Sequence, residues 1–178
     1  MAGNKFKELV HFMIHECRED PASLGAVRLN KALWFTDLDA YMKRGESITG
    51  ARYVKRRRGP APSAIVPVLR GLVEEGAINI EEPEFMYEPR LYLSLREPEC
   101  NELTQDDRKA AQHALGFVRN YSAFDLSEIT HEEIWEAASE GEEIPLYAML
   151  ASGTGEITDE VLAWADNCIR EIEQAETV

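Results

Sequence analysis

Apolar residues near the start of the chain recur every three or four positions. Phe6, Leu9, Val10, Met13, Ile14 and Cys17 follow that spacing, which puts them on one stripe of a helix facing a core. The pattern predicts an amphipathic helix over residues 4–19, ended before Pro21. Residues 29–42, LNKALWFTDLDAYM, are apolar on most sides, so this segment reads as the central buried helix. Gly45 and Gly50 bracket a turn, and ARYVKR reads as a short strand. Gly59-Pro60-Ala61-Pro62 then stops that strand, because two prolines lack the amide donor a ladder needs.

A further helix runs from Ser63 to Glu75, with Ile65, Val68, Leu69, Leu72 and Val73 on one face and Gly76 at its C-terminal cap. Pro67 lies close enough to its start to cost little. A strand follows around residues 77–80, then a polar loop, then PRLYLSLR, where Leu91, Leu93 and Leu95 alternate with polar neighbours as in a half-buried strand. Helix, strand, loop, strand is the outline of a winged helix.

Beyond it, Thr104 caps a helix carrying Ala111, Ala114, Leu115 and Val118. Thr130 stands three residues ahead of Glu133 as in a capping box, and Thr158 opens a last helix carrying Val161, Leu162, Ala165, Cys168, Ile169 and Ile172. The fold class this implies is α+β and mostly α-helical. It is expected as a single domain over residues 1–178, with about six helices and a small antiparallel sheet.

Composition sharpens the reading. The chain of 178 residues carries a formal net charge of -14, distributed unevenly. Residues 1–96 hold 15 basic against 13 acidic side chains, and residues 97–178 hold 4 against 20. The second half repels phosphate backbones and attracts cationic partners, so nucleic acid is a poor partner for it. Cys17, Cys100 and Cys168 are few, odd in number and far apart, which fits reduced thiols rather than a disulfide framework or a zinc site. There is no signal-peptide pattern and no run of about 20 apolar residues to span a membrane. A cytoplasmic protein is expected.

Two blocks carry a resemblance. Residues 29–78, with the helix LNKALWFTD, the ITG turn, a strand and the corner GPAPS, resemble the core of the Panacea domain, the SocA-like antitoxin family. Residues 126–145, LSEITHEEIWEAASEGEEIP, are similar to a later segment of the same family. Family members commonly place an aromatic residue before the corner, where this chain has Arg58. The resemblance implies a non-enzymatic antitoxin from a bacterial or phage genome, which binds a cognate protein toxin directly and uses no cofactor. The acidic half adds that the toxin is basic. A sequence-specific repressor and an adaptor that delivers a bound protein to a protease are the alternatives.

The candidate partner-binding residues fall in three places. Arg56, Arg57 and Arg58 precede Gly59 and Pro60. They read either as a solvated strand end tied to acids of the second half or as a contact surface held on a rigid corner. Phe85, Met86 and Tyr87 stand among acids and prolines in the wing, as apolar anchors do at interfaces. His131 and Trp135 share a helix face, either as a binding patch or as parts of a capped helix.

No catalytic constellation emerges. His11 and His15 have metal-clamping spacing, but they project opposite the apolar stripe, which predicts a solvent face and no metal. Asp37 and Asp39 are two residues apart and cannot share a helical face; Asp37 is read as paired with Lys31 or Arg28. The helix from Ser63 to Glu75 offers only Arg70 as a base and ends in Glu74 and Glu75, which disfavours DNA binding.

Overall fold

A computed structural model describes residues 4–85, 88–130 and 133–149. These build one mostly helical α+β domain with six α-helices and two small antiparallel sheets. Helix α1 (Asn4–Glu16) buries the stripe read from the sequence, with Phe6, Leu9, Val10, Met13 and Ile14 all enclosed. A 3-10 turn at Pro21–Ser23 redirects the chain into α2 (Gly25–Arg44), which begins four residues before the predicted Leu29. Gly45 closes α2 in the left-handed region at φ 77°, where its amide reaches the Tyr41 carbonyl at 2.8 Å. Such a conformation suits glycine because no Cβ opposes it.

The first strand ends before the Gly59–Pro62 corner, as expected, but the corner adds a pairing that the sequence did not announce. β1 (Tyr53–Val54) pairs antiparallel with β2 (Ala61–Pro62) in the register Tyr53 with Pro62 and Val54 with Ala61. The prolines do not abolish the pairing, since the ladder is two residues long and the closing bond comes from the Ser63 amide to the Arg52 carbonyl at 2.8 Å. No proline amide is needed. Residues 55–60, the arginines among them, therefore form the loop of a hairpin.

The winged outline is present. α3 (Ile65–Glu74) leads into β3 (Ile78–Glu81), which pairs with β4 (Leu91–Ser94). The face of β4 is reversed from the sequence reading: Tyr92 is buried, whereas Leu95 is 59% exposed. Alternation defines two faces of a strand without saying which meets the core, and here α1 packs over the Tyr92 side.

α4 (Gln105–Arg119) packs along α2, with Phe117 edge-on to Phe35 at 5.1 Å between ring centroids. Thr104 caps α4 as expected, in a capping box with Asp107. A second box, Ser122 with Asp125, starts the short α5 (Ala123–Ile129), which the sequence pattern did not announce. Thr130 ends α5, its hydroxyl donating to the carbonyls of Leu126 and Ser127 at 3.0 and 3.1 Å. It serves the helix before it. α6 (Glu133–Ala137) follows. The expected Thr130–Glu133 box involves a Glu133 side chain outside the described residues, as does the helix opened by Thr158, with Cys168.

The main core joins α1, α2, α3, α4 and Tyr92 of β4. A smaller cluster of Trp34, Tyr53 and Ile144, ringed by Ile134, Trp135 and Leu146, lies under the β1–β2 hairpin. Trp34 meets Tyr53 edge-on at 4.9 Å between centroids. That cluster is the floor on which the arginine loop stands.

Candidate functional site: an arginine corner over a buried lysine

The hairpin loop is held from three directions. Within it, the Gly59 amide donates to the Arg56 carbonyl at 2.8 Å, with Gly59 at φ 97°. Along its open edge the segment after α6 adds itself to β1. The Lys55 amide donates to Glu142, the Gly141 amide to Lys55 and the Ile144 amide to Tyr53, at 2.8 to 3.0 Å. From below, the Trp135 indole N–H donates to the Arg56 carbonyl at 3.2 Å. The Lys55 ammonium stands 4.2 Å over the same indole while donating to the Ala138 carbonyl at 2.8 Å. The two sequence blocks, residues 29–78 and 126–145, meet at this corner.

Gly59, Pro60 and Ala61 are buried and the three arginines are exposed. Glycine and proline act as backbone devices that turn the guanidinium groups outward. Arg56 approaches Glu140 at 3.7 Å, and Arg52 pairs with Glu143 at 2.9 Å. Acids of the second half do reach the corner, but among the described residues none reaches Arg57 or Arg58. Such exposed pairs contribute roughly 0 to 1 kcal/mol each.

Beneath the loop lies Lys31, 1% exposed, its ammonium without a hydrogen-bond partner. Burial pulls its pKa down from 10.5 to about 7. Glycine at position 59 is what admits it, since a Cβ there would overlap Lys31 Nζ. Lys31, Asn30, Ala26, Val27, the arginine loop and Glu140 line a groove of about 400 Å³.

The expected pairing of Asp37 with Lys31 or Arg28 does not form. Asp37 points the other way and accepts from the amides of Ile48 and Thr49 at 2.9 and 3.0 Å, from the Tyr53 hydroxyl at 2.8 Å and from the Thr49 hydroxyl. It is the knot that ties the ITG turn to α2. Burial raises its carboxyl pKa above the ordinary value against the pull of those bonds, and pushes the Tyr53 hydroxyl well above its own. Arg28 instead donates to the Tyr121 carbonyl at 2.9 Å.

The other predicted residues are distributed elsewhere. Phe85 is 66% exposed in the β3–β4 loop and does not line the groove. Met86, Tyr87 and His131 lie outside the described residues. Trp135 is half-buried and belongs to the corner, as the Arg56 bond requires.

His11 and His15 are buried, not solvent-facing, because β4 covers the side of α1 opposite the apolar stripe. Ser94 Oγ lies 3.0 Å from His15 Nδ1 and 3.4 Å from His11 Nε2, while His15 Nε2 stands 3.1 Å from Glu97. The serine hydroxyl is oriented onto the Arg96 carbonyl at 3.0 Å, and burial lowers the His11 pKa. The cluster fastens β4 to α1. Among the described residues no group of three metal-binding side chains converges, and no helix is long and apolar enough to cross a membrane.

Sequence reasoning missed Lys31, Asn30, Lys55 and Glu140 as parts of the corner. Lys31 stood inside the quoted LNKALW helix, on a side that its apolar neighbours made look internal. The signal was a charged residue on an otherwise buried face, which demands a partner. Residues 29–136 match the family model described as Antitoxin SocA-like, Panacea domain. Neither the curated proteins nor the solved structures gave a match.

Proposed function

The chain belongs to the SocA-like antitoxin family of the Panacea domain, and from that premise we propose that it neutralises a protein toxin by stoichiometric binding, with the arginine corner in the contact surface. The observation that carries this reading is the exposure of Arg57 and Arg58, without acidic partners among the described residues, on a loop whose backbone is fixed on both sides. Stability does not ask for them there. A rigid loop loses little conformational freedom on binding, so its contacts are not offset by ordering costs.

The chain acts by occlusion, over an interface of about 800 Å² per partner, and transforms no substrate. A single domain spans the chain in this reading, and binding takes place in the cytoplasm. The toxin is basic, attracted by the acid-rich second half, while the corner supplies a local contact of opposite sign. Phe85, with Met86 and Tyr87 beside it in sequence, offers an apolar anchor, and His131 with Trp135 completes the candidate surface.

DNA regulation has no support from α3, where Arg70 is the sole basic residue. The deciding experiment is co-expression with the protein encoded next to it, scored by growth. Arg57→Glu is expected to lose protection while the variant stays folded. Undiminished protection would remove the corner from the interface, and complex formation indifferent to ionic strength would remove the basic toxin.

A further inference from the structure

Partner binding across an exposed loop does not account for what lies under it. Among the described residues, the buried side-chain atoms lacking any hydrogen-bond partner are Asn30 Oδ1 and Lys31 Nζ. They belong to consecutive residues of α2, and both residues line the groove beneath the arginine loop. Buried polar groups are nearly always paired, so two orphans in one groove mark a place where partners are brought from outside. A groove of about 400 Å³ has the size of a small-ligand site.

The donor and acceptor types define what would fit. Lys31 offers only donors, as do Arg57 and Arg58 at the rim, and Asn30 Oδ1 offers an acceptor. The complement is an anionic oxygen pair with an N–H close beside it. The last residue of a peptide has both: its α-carboxylate accepts, and its own backbone amide donates. A phosphate also offers acceptors to Lys31 and the arginines, but its second charge would come towards Glu140, which lines the same groove.

We propose that this groove binds the C-terminal carboxylate of a peptide chain, held by Arg57 and Arg58 above Lys31, with the terminal amide on Asn30. Capture of a chain end by convergent donors is a recurring mode of peptide recognition. The Lys31 amine, pulled down by burial to about 7, regains its proton when the carboxylate arrives, because an adjacent anion favours the charged form. The site is defined by its own residues and does not depend on the ligand's being a toxin.

The test is calorimetric titration of the full chain at pH 7 with acetyl-alanyl-alanine, with the same dipeptide amidated at its C-terminus, and with inorganic phosphate. The free carboxylate is expected to bind with uptake of protons, and the amide at least about tenfold more weakly, the cost of roughly one lost charge-assisted bond. Lys31→Met is expected to abolish the proton uptake, and Arg57→Ala and Asn30→Ala each to weaken binding. Asn30→Ala and Arg57→Ala leave the buried amine in place, so they report on the site even if Lys31→Met disturbs folding. Equal binding of acid and amide, phosphate binding in preference to the dipeptide, affinity unchanged in the Arg57 and Asn30 variants, or no heat at millimolar ligand would each overturn the proposal.

Discussion

Lys31 and Asp37 stand six residues apart on α2 and are equally closed to solvent, at 1% and 0% exposure. Asp37 receives four hydrogen bonds and ties helix, turn and strand together. The Lys31 ammonium donates none. One buried ionisable group is complete within the fold; the other waits on something beyond it. A charge with a full set of partners belongs to architecture, while a charge without them imposes a cost that the fold tolerates for another reason.

The hardest blow to that comparison comes from the complete side. Asp37→Ala strands the amides of Ile48 and Thr49 and two hydroxyls, and is expected to lower unfolding free energy by about 5 kcal/mol, read from the denaturant midpoint. A loss below about 1 kcal/mol would mean that the four bonds are not a structural knot.

The incomplete side should behave in the opposite way. With the Lys31 pKa at 10.5 unfolded and about 7 folded, the unfolded chain binds more protons between those values, so stability rises with pH across that window. The gain from pH 7 to pH 10 is expected to be about 3 kcal/mol relative to Lys31→Met, whose curve lacks this contribution. Parallel curves for the two proteins would show that the amine is not buried alone.

Asp107 supplies an intermediate case. Burial would raise its pKa, but the Lys5 ammonium at 2.8 Å, the Thr104 cap and Arg44 at 3.1 Å outweigh it and bring the carboxyl to about 2. Its folded value lies below the ordinary 3.8, so its stabilisation is present above that pH and is lost as pH falls towards 2. Asp107→Asn is expected to remove about 2 kcal/mol of acid-sensitive stability in thermal melts between pH 5 and pH 2, approximated from the size of the shift. The smallest effect belongs to the rim, where Glu140→Gln should cost under about 1 kcal/mol of stability, because its pair with Arg56 is exposed.

How much of this was readable beforehand depended on which property carried the information. Helices α1, α3 and α4 were legible because apolar spacing and the Thr104 cap are local. The family blocks were legible as well, since their motifs stand in the sequence. The burial of His11 and His15 was not, because it is imposed by β4, some 80 positions away, packing on the polar side of α1. The side of β4 that faces inward was hidden for the same reason. The β1–β2 pairing escaped because proline rules concern ladders longer than this one. At the site, the arginines announced themselves. Lys31 did not: a lysine in an apolar helix is read as paired until the third dimension withholds the partner.

The added edge on β1 has a consequence in time. Residues 141–144 bind residues 53–55 from nearly ninety positions downstream, so the loop they brace cannot be fixed by any contact made early in synthesis. A chain emerging from the ribosome can shape its first helices and still carry its arginines on a slack, one-sided hairpin. Whatever recognises the braced form must wait until that distant segment has been made, so the protein's competence arrives only after residues 141–144 have left the ribosome.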